Sequence, residues 1–199
     1  MDMRKNRRRR SSLNFGRTRR KFNVRRFKYV MTWVLQIAGV VLAAYLCVTC
    51  FGIRTTVVGQ AMSDTLENGD QVFLNKIAYK ISKPKADDVI VFLPNGNEKS
   101  HYYVRRVIGI PGDRVQIKDG AVYINGELYS EKIEVAAMEE TGIAGDEIVL
   151  GEDEYFVLGD NRNNSEDSRY ANIGNVKKEY IVGKAWFYVG KEDGSGFIH

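Results

Sequence analysis

The sequence predicts a mostly β domain that follows one membrane-spanning helix. Three observations lead to this prediction. The 199-residue chain has a long uncharged apolar run near its N-terminus, and beyond it come many short segments rich in Val, Ile, Tyr and Phe, separated by turn residues. The charge is also divided unevenly along the chain. Hydrophobic residues make up 44% of the chain, which suffices for a core and excludes a wholly disordered protein.

The N-terminal segment, residues 1–28, is strongly basic. It holds 13 Lys and Arg against one acid, whereas residues 55–199 hold 16 Lys and Arg against 24 Asp and Glu. This division excludes a uniformly basic nucleic-acid-binding protein, so we expect no nucleic-acid partner. We expect the basic tail to lie in the cytoplasm and to contact anionic lipid of the bilayer.

Residues 29–53 carry no charge and lie between Lys28 and Arg54. As a helix they would be about 37 Å long, enough to cross a hydrocarbon core of about 30 Å. A cleaved secretory signal is the alternative, but its apolar region is usually about 7–15 residues long, and no small-x-small cleavage site follows here. The excess of positive charge before the span predicts a single-pass protein with a cytoplasmic N-terminus and residues 55–199 outside.

The two cysteines of the chain, Cys47 and Cys50, fall inside this apolar run with C-x-x-C spacing. We interpret them as apolar residues of a membrane helix, not as a redox or metal motif. Residues 55–199 have no cysteine, so neither a disulfide nor a thiolate zinc site is available there. We predict no metal and no cofactor.

Residues 55–199 contain eight predicted strands, at 71–75, 89–92, 102–110, 115–118, 121–124, 147–150, 155–158 and 181–188. The pair Asp119-Gly120 predicts a tight hairpin between the fourth and fifth of these strands. Asn125-Gly126 predicts the next tight turn. Residues 131–140 are the one stretch with a weak helical pattern.

Three further stretches carry a distinctive pattern. The first reads Gly-Gln-Ala-Met-Ser-Asp-Thr-Leu over 59–66, and the second reads Tyr-Val-Arg-Arg-Val-Ile-Gly-Ile-Pro-Gly-Asp over 103–113. The third reads Gly-Asp-Asn-Arg-Asn-Asn-Ser-Glu-Asp-Ser-Arg over 159–169. In this order, behind an N-terminal anchor, they resemble the type I signal peptidases, which are membrane-anchored serine proteases with a Ser/Lys pair. The resemblance covers about residues 29–190 and implies a β-rich extracytoplasmic domain at the plasma membrane of a bacterium.

The chain departs from this family pattern at both catalytic positions. Ala61 stands where the family has its serine nucleophile, and Arg105 stands where it has its lysine base; Asp64 also replaces a proline. Alanine has no hydroxyl group that could form an acyl-enzyme. Arginine stays protonated and offers no lone pair to accept the serine proton. We therefore predict that Ser/Lys catalysis is absent.

The resemblance also implies roles for residues around these two positions. The supporting network would comprise Asp160, Ser165, Asp167 and Arg169. The substrate groove would comprise Gly59, Gln60, Met62 and Tyr103. We expect Arg105 to pair with Asp167 or Asp160, because an unpaired buried guanidinium is costly.

A rebuilt catalytic site is the alternative to an inactive one. Ser63 would be its nucleophile, but in an extended chain it would sit about 6–7 Å from Ala61, too far to use the same geometry. Candidate bases are Lys76, Lys80 and His101.

Taken together, the residues and the resemblance predict an inactive signal-peptidase-like protein that binds extended peptide segments of exported proteins by strand addition. A chaperone or assembly role follows from this, for example in the assembly of surface pili, with pilin-type subunits as partners. One alternative is an active type I signal peptidase that cleaves secreted preproteins with an atypical site. The other is a structural remnant that binds nothing.

Overall fold

The computed structural model describes residues 23–51, 53–190 and 194–198. Most of the predicted cytoplasmic tail, residues 1–22, lies outside the described residues, and so do the side chains of Cys47 and Cys50. The chain divides into two compact units, Met1–Leu42 and Ala43–His199.

Helix α1 spans Val24–Phe51. It begins after Asn23, whose side-chain oxygen accepts a hydrogen bond from the Arg26 N–H at 3.3 Å and so caps the first turn. Its stretch Val24–Leu46 is the one segment among the described residues that is long and apolar enough to cross a membrane, and its side chains are exposed in the protein. The predicted helix is therefore present, although it starts five residues before the predicted 29–53.

Residues 53–190 and 194–198 form a mostly β domain, as predicted, with twelve strands: β1 Ile53–Thr56, β2 Gln71–Asn75, β3 Val89–Phe92, β4 Tyr103–Gly109, β5 Arg114–Lys118, β6 Ala121–Ile124, β7 Glu127–Leu128, β8 Ile148–Val149, β9 Glu154–Leu158, β10 Val176–Lys177, β11 Ile181–Val189 and β12 Ser195–Phe197. The larger sheet has the order β1-β2-β11-β3-β4-β9-β10, with β12 paired to β11. The smaller sheet has the order β7-β6-β5-β8. All of these pairs are antiparallel. One short helix, α2 at Ala78–Ile81, follows β2.

The two predicted tight turns are confirmed by the backbone. Asp119 and Gly120 have φ values of 50° and 76° between β5 and β6, and Asn125 and Gly126 have φ values of 54° and 85° between β6 and β7. Positive φ at both central residues is the conformation that a two-residue hairpin of this hand requires.

The predicted helix over 131–140 is wrong, because this segment forms neither helix nor strand. Its residues are held by distant parts of the chain instead. Glu131 forms an ion pair with Arg162, and the Met138 N–H donates to the Gly120 carbonyl at 3.0 Å. Such tertiary contacts outweigh a weak helical propensity.

The core brings the three distinctive stretches together. Strands β4 and β9 are neighbours, with Arg106 opposite Leu158, so the segment after β9 continues beside β4. The β1–β2 loop is fixed to the same region because Met62 and Leu66 are buried in the core cluster of β2, β3 and β11. The fold therefore places residues 59–66, 103–106 and 159–169 around one site.

Candidate functional site

The three stretches line a groove with a volume of about 610 Å³. The β1–β2 loop contributes Ala61, strand β4 contributes Arg105, and the segment after β9 contributes Ser165. We call this the groove; its complete lining is Val58, Gly59, Gln60, Ala61, His101, Tyr102, Tyr103, Arg105, Asn163, Asn164, Ser165, Glu166, Tyr170 and Asn172.

Hydrogen bonds from the segment after β9 hold the Ala61 loop in place. The Asn161 N–H donates to the Ala61 carbonyl at 3.1 Å, and the Asn161 side-chain amide donates to the Gln60 carbonyl at 3.1 Å. The Thr65 hydroxyl donates to Asp160 at 2.6 Å. Ala61, 8% exposed, therefore has a defined position at the groove wall.

Two buried ion pairs lie next to the groove, and we call them the scaffold. Arg106 donates to both carboxylate oxygens of Asp160, at 2.9 and 2.8 Å, and Arg169 donates to both oxygens of Asp167, each at 2.9 Å. Burial alone would lower the pKa of Arg106, but the hydrogen bonds and charge of Asp160 outweigh burial and raise it above its ordinary value. Each of the two carboxylates is thus held at both oxygens by an arginine.

Arg105 differs from these arginines because its hydrogen bonds go to main-chain carbonyls. Its Nε and Nη2 donate to the Glu166 carbonyl at 3.0 and 2.6 Å, and its Nη1 donates to the Val104 carbonyl at 2.7 Å. The guanidinium also lies 5.0 Å from the centre of the Tyr103 ring. Burial lowers the pKa of Arg105 from its ordinary value, and attraction from Asp167 opposes this shift. An arginine nevertheless stays charged at neutral pH.

The prediction that Arg105 pairs with Asp167 or Asp160 is wrong. Among the described residues no ion pair joins Arg105 to a carboxylate. The physical reason is that both acids already have two-point contacts to Arg106 and Arg169, which leaves only main-chain oxygens for Arg105.

Ser165 contributes a hydroxyl oxygen that is buried and, among the described residues, has no hydrogen-bond partner. Gly159 packs closely against it, since a Cβ at Gly159 would lie 2.2 Å from the Ser165 Oγ and 2.5 Å from the Ala61 carbonyl oxygen. Ala61, Gly159 and Ser165 are therefore in close contact. The resemblance implies that Ser165 stands where the family has a serine that hydrogen-bonds the catalytic lysine. In this chain Arg105 replaces that lysine, and it donates to main-chain carbonyls and not to Ser165.

The remaining predicted groove residues divide into two groups. Gly59, Gln60 and Tyr103 line the groove. Met62 is 1% exposed and belongs to the core, where its sulfur accepts the Asp160 N–H at 3.5 Å. Its side chain therefore does not line the groove.

The residues considered for a rebuilt catalytic site do not assemble one. Ser63 lies in a turn, not in an extended chain, and its hydroxyl accepts a hydrogen bond from the Asn161 amide at 2.8 Å. It lines a separate cavity, and neither Lys76 nor Lys80 lines the groove. His101 does line the groove, but Ser63, the nucleophile considered for it, does not. Among the described residues there is also no cluster of three or more side chains that could hold a metal ion.

The sequence interpretation missed Glu166 and the asparagines around it. Glu166 accepts hydrogen bonds from the Tyr103 hydroxyl at 2.8 Å and from the Asn172 amide at 2.5 Å, and Asn164 donates to the Gln60 side chain at 3.1 Å. The available signal was the density of Asn, Ser and Asp over 160–168, since these side chains fix irregular loops through local hydrogen bonds.

The chain is similar to known proteins over most of its length. The family model described as "Signal peptidase, peptidase S26" matches residues 30–189. Signal peptidase I P of Bacillus subtilis subsp. natto is 34% identical over 161 residues, which are 77% of this chain and 85% of that protein. Signal peptidase I of Bacillus licheniformis is 35% identical over 163 residues, 78% of this chain and 86% of that protein. A crystal structure of a signal peptidase I from Enterococcus faecalis V583 is 32% identical and covers 52% of this chain and 97% of that chain, with a TM-score of 0.42.

Proposed function

The chain belongs to the signal peptidase family, peptidase S26, and from this membership we propose that it binds extended peptide segments of exported proteins without cleaving them. The observation that carries the proposal is the pair Ala61 and Arg105, which line one groove at the positions of the family nucleophile and base. The family relation supports a peptide ligand, and the two substitutions support binding without hydrolysis.

The absence of cleavage follows from the chemistry of the groove. Ala61 presents a methyl group where an attacking oxygen is needed. Arg105 is a permanent cation and so has no lone pair with which to take a proton. In a serine protease the loss of the nucleophile alone costs on the order of 10⁶ in rate, so no significant turnover is expected from this pair.

Binding of an extended peptide is favoured by the entrance to the groove. Val58 is 64% exposed, and among the described residues its main-chain N–H and C=O make no hydrogen bond. These two groups are thus free to pair with a peptide strand, which is the main source of affinity in strand addition. Tyr102, 42% exposed, adds an amphipathic side chain to the same groove.

We place the groove outside the cell. Residues 29–53 would anchor the chain in the plasma membrane of a bacterium, the basic residues 1–28 would remain in the cytoplasm, and residues 55–199 would form the extracytoplasmic domain. There the ligands would be exported proteins, and a role in assembling surface fibres such as pili, with pilin-type subunits as clients, is the specific form of this proposal.

The test uses the full chain in detergent micelles. A fluorescent peptide that contains an Ala-x-Ala cleavage site is titrated with the protein, and the mixture is then analysed by mass spectrometry. We expect saturable binding and an intact peptide. Cleavage by the unmodified chain would overturn the proposal in favour of an active signal peptidase with an atypical site, a second candidate that the family match over residues 30–189 favours. Absence of binding would favour a structural remnant.

A further inference from the structure

We propose that the groove recognises the free carboxylate at the C-terminus of a peptide, held by Arg105 and Ser165, in preference to a chain that continues through the site. This inference rests on the proposed peptide-binding function and specifies its ligand. It is carried by two observations on the described residues: Arg105 forms no ion pair with a carboxylate, and the buried Ser165 hydroxyl has no hydrogen-bond partner, while both residues line one groove.

Arg105 is exceptional among the buried arginines of the described residues. The other three each have a carboxylate partner: Arg106 with Asp160, Arg162 with Glu131 and Arg169 with Asp167. Arg105 is 7% exposed and forms no ion pair with a carboxylate of the described residues. The more distant attraction by Asp167 compensates the burial of Arg105 only in part, since burial still lowers its pKa, and a directly bonded anionic ligand would reduce the remaining cost.

The guanidinium of Arg105 has donors left for such a ligand. An arginine carries five N–H groups, and the hydrogen bonds to the Glu166 and Val104 carbonyls use one on Nε, one on Nη1 and one on Nη2. One N–H remains on each terminal nitrogen. Two N–H groups in this planar arrangement match the two oxygens of a carboxylate.

Ser165 supplies the second group. Its hydroxyl is buried at the groove wall, and a ligand oxygen would give it the hydrogen bond that it lacks among the described residues. The Ala61 N–H likewise makes no hydrogen bond among the described residues. The site therefore combines a cation with donors, and this combination selects a ligand whose oxygens only accept hydrogen bonds, as those of a carboxylate do.

The negative groups nearby do not already fill this role. The Glu166 carboxylate accepts hydrogen bonds from Tyr103 and Asn172, and Asp167 is paired with Arg169. A peptide that continued past Ala61 would bring a neutral amide to Arg105 and leave the cation without a directly bonded anion. A peptide that ended there would bring the carboxylate to it.

The experiment compares peptides that differ only at their C-terminus, with the full chain in detergent micelles. A fluorescently labelled peptide ending in Ala-Lys-Ala is used as the free acid and as the amide, and affinity is measured by fluorescence anisotropy. We expect the acid to bind at least about tenfold more tightly, since a hydrogen bond to a charged group is worth that much. Sodium acetate should compete only at concentrations far above that of the peptide; competition by acetate as effective as that by the unlabelled acid would show that the site takes any small carboxylate, and would overturn the assignment to a peptide C-terminus.

Two variants locate the effect. Arg105→Gln should abolish the preference, so that the acid and the amide bind the variant with equal affinity. Arg114→Gln, at an exposed arginine outside the groove, is the matched control and should keep the full preference. The comparison in the unmodified chain needs no variant and so does not depend on the folding of Arg105→Gln. Equal affinities for acid and amide would overturn this inference and leave the proposed function intact, whereas binding of neither peptide would overturn both.

Discussion

The scaffold is built from two of the three segments that line the groove, 103–113 and 159–169, but the groove and the scaffold differ in how their polar groups are satisfied. In the scaffold, Arg106 and Arg169 each hold a carboxylate with two hydrogen bonds. In the groove, and among the described residues, Arg105 donates only to main-chain acceptors and the Ser165 hydroxyl has no partner. Buried polar groups in native proteins are usually satisfied, so an exception at a groove calls for an explanation such as a ligand. The contrast therefore separates residues that hold the fold from residues available for binding.

The largest effect should come from restoring the chemistry that the groove lacks. We expect the double variant Ala61→Ser with Arg105→Lys to cleave a peptide that contains an Ala-x-Ala site, while the unmodified chain does not. A buried lysine has a lowered pKa and so can act as a neutral base, which arginine cannot. The rate of cleavage should rise by as much as the loss of such a catalytic group costs, up to about 10⁶. Product formation is measured by mass spectrometry.

The two single variants are the controls for the double variant, because a serine without a base and a lysine without a nucleophile should both remain inactive. A double variant that binds the peptide but does not cleave it would contradict the view that the scaffold positions an otherwise complete site. Asp64, the third departure from the family pattern, would then be the next residue to change.

The second effect concerns the scaffold and tests whether it holds the fold. Asp160→Asn removes the carboxylate charge that compensates Arg106, whose side chain is 2% exposed. We expect a loss of about 3–5 kcal/mol in the free energy of unfolding. Urea unfolding of the full chain in detergent, followed by tryptophan fluorescence, measures this loss.

Glu147→Gln is the matched control for this variant. It breaks the ion pair of Arg114 with Glu147, whose side chains are 53% and 43% exposed, and exposed pairs contribute about 0–1 kcal/mol. A similar small loss for Asp160→Asn would mean that the scaffold pair does not stabilise the fold.

The third effect concerns the contact between groove and scaffold. Gly159→Ala would place a Cβ 2.2 Å from the Ser165 Oγ and 2.5 Å from the Ala61 carbonyl oxygen. The Ala61 loop would have to move, and overpacking of this kind costs about 1–3 kcal/mol. We expect both a lower unfolding free energy and weaker peptide binding, measured on the same preparation. Gly151→Ala is the matched control, since its Cβ would meet only the flexible Glu154 side chain at 3.4 Å. Gly126 is unsuitable because its positive φ would strain an alanine wherever its side chain pointed.

The sequence predicted the strands better than the site. The eight predicted strands are all present with ends shifted by no more than one residue, because their Val, Ile and Phe side chains are buried in the sheets. Four strands were missed, β1, β7, β10 and β12, and each has four residues or fewer. Such short strands owe their pairing to neighbours and not to their own pattern.

Within the site, the order of the motifs was enough to predict that Ala61 and Arg105 belong to one region. It was not enough to predict the partner of Arg105. Three arginines at 105, 106 and 169 compete for Asp160 and Asp167, and only the three-dimensional positions decide which arginine is left without a carboxylate. The alternation of buried and exposed side chains expected along a strand could not distinguish Arg105 from Arg106 either, since both are buried in β4.

The smallest effect distinguishes two serines of the same segment. The Ser168 hydroxyl accepts the Val157 N–H at 3.0 Å, whereas the Ser165 hydroxyl has no partner among the described residues. Ser168→Ala leaves a buried N–H unpaired and should lower the unfolding free energy by about 1–3 kcal/mol. Ser165→Ala removes a hydroxyl that bonds to none of the described residues, so stability should stay the same or rise slightly, while the affinity for the free-acid peptide falls a few-fold. If both substitutions destabilised the chain equally, Ser165 would have to be counted with the scaffold. The boundary between the residues that hold the fold and those that bind a ligand would then have to be redrawn.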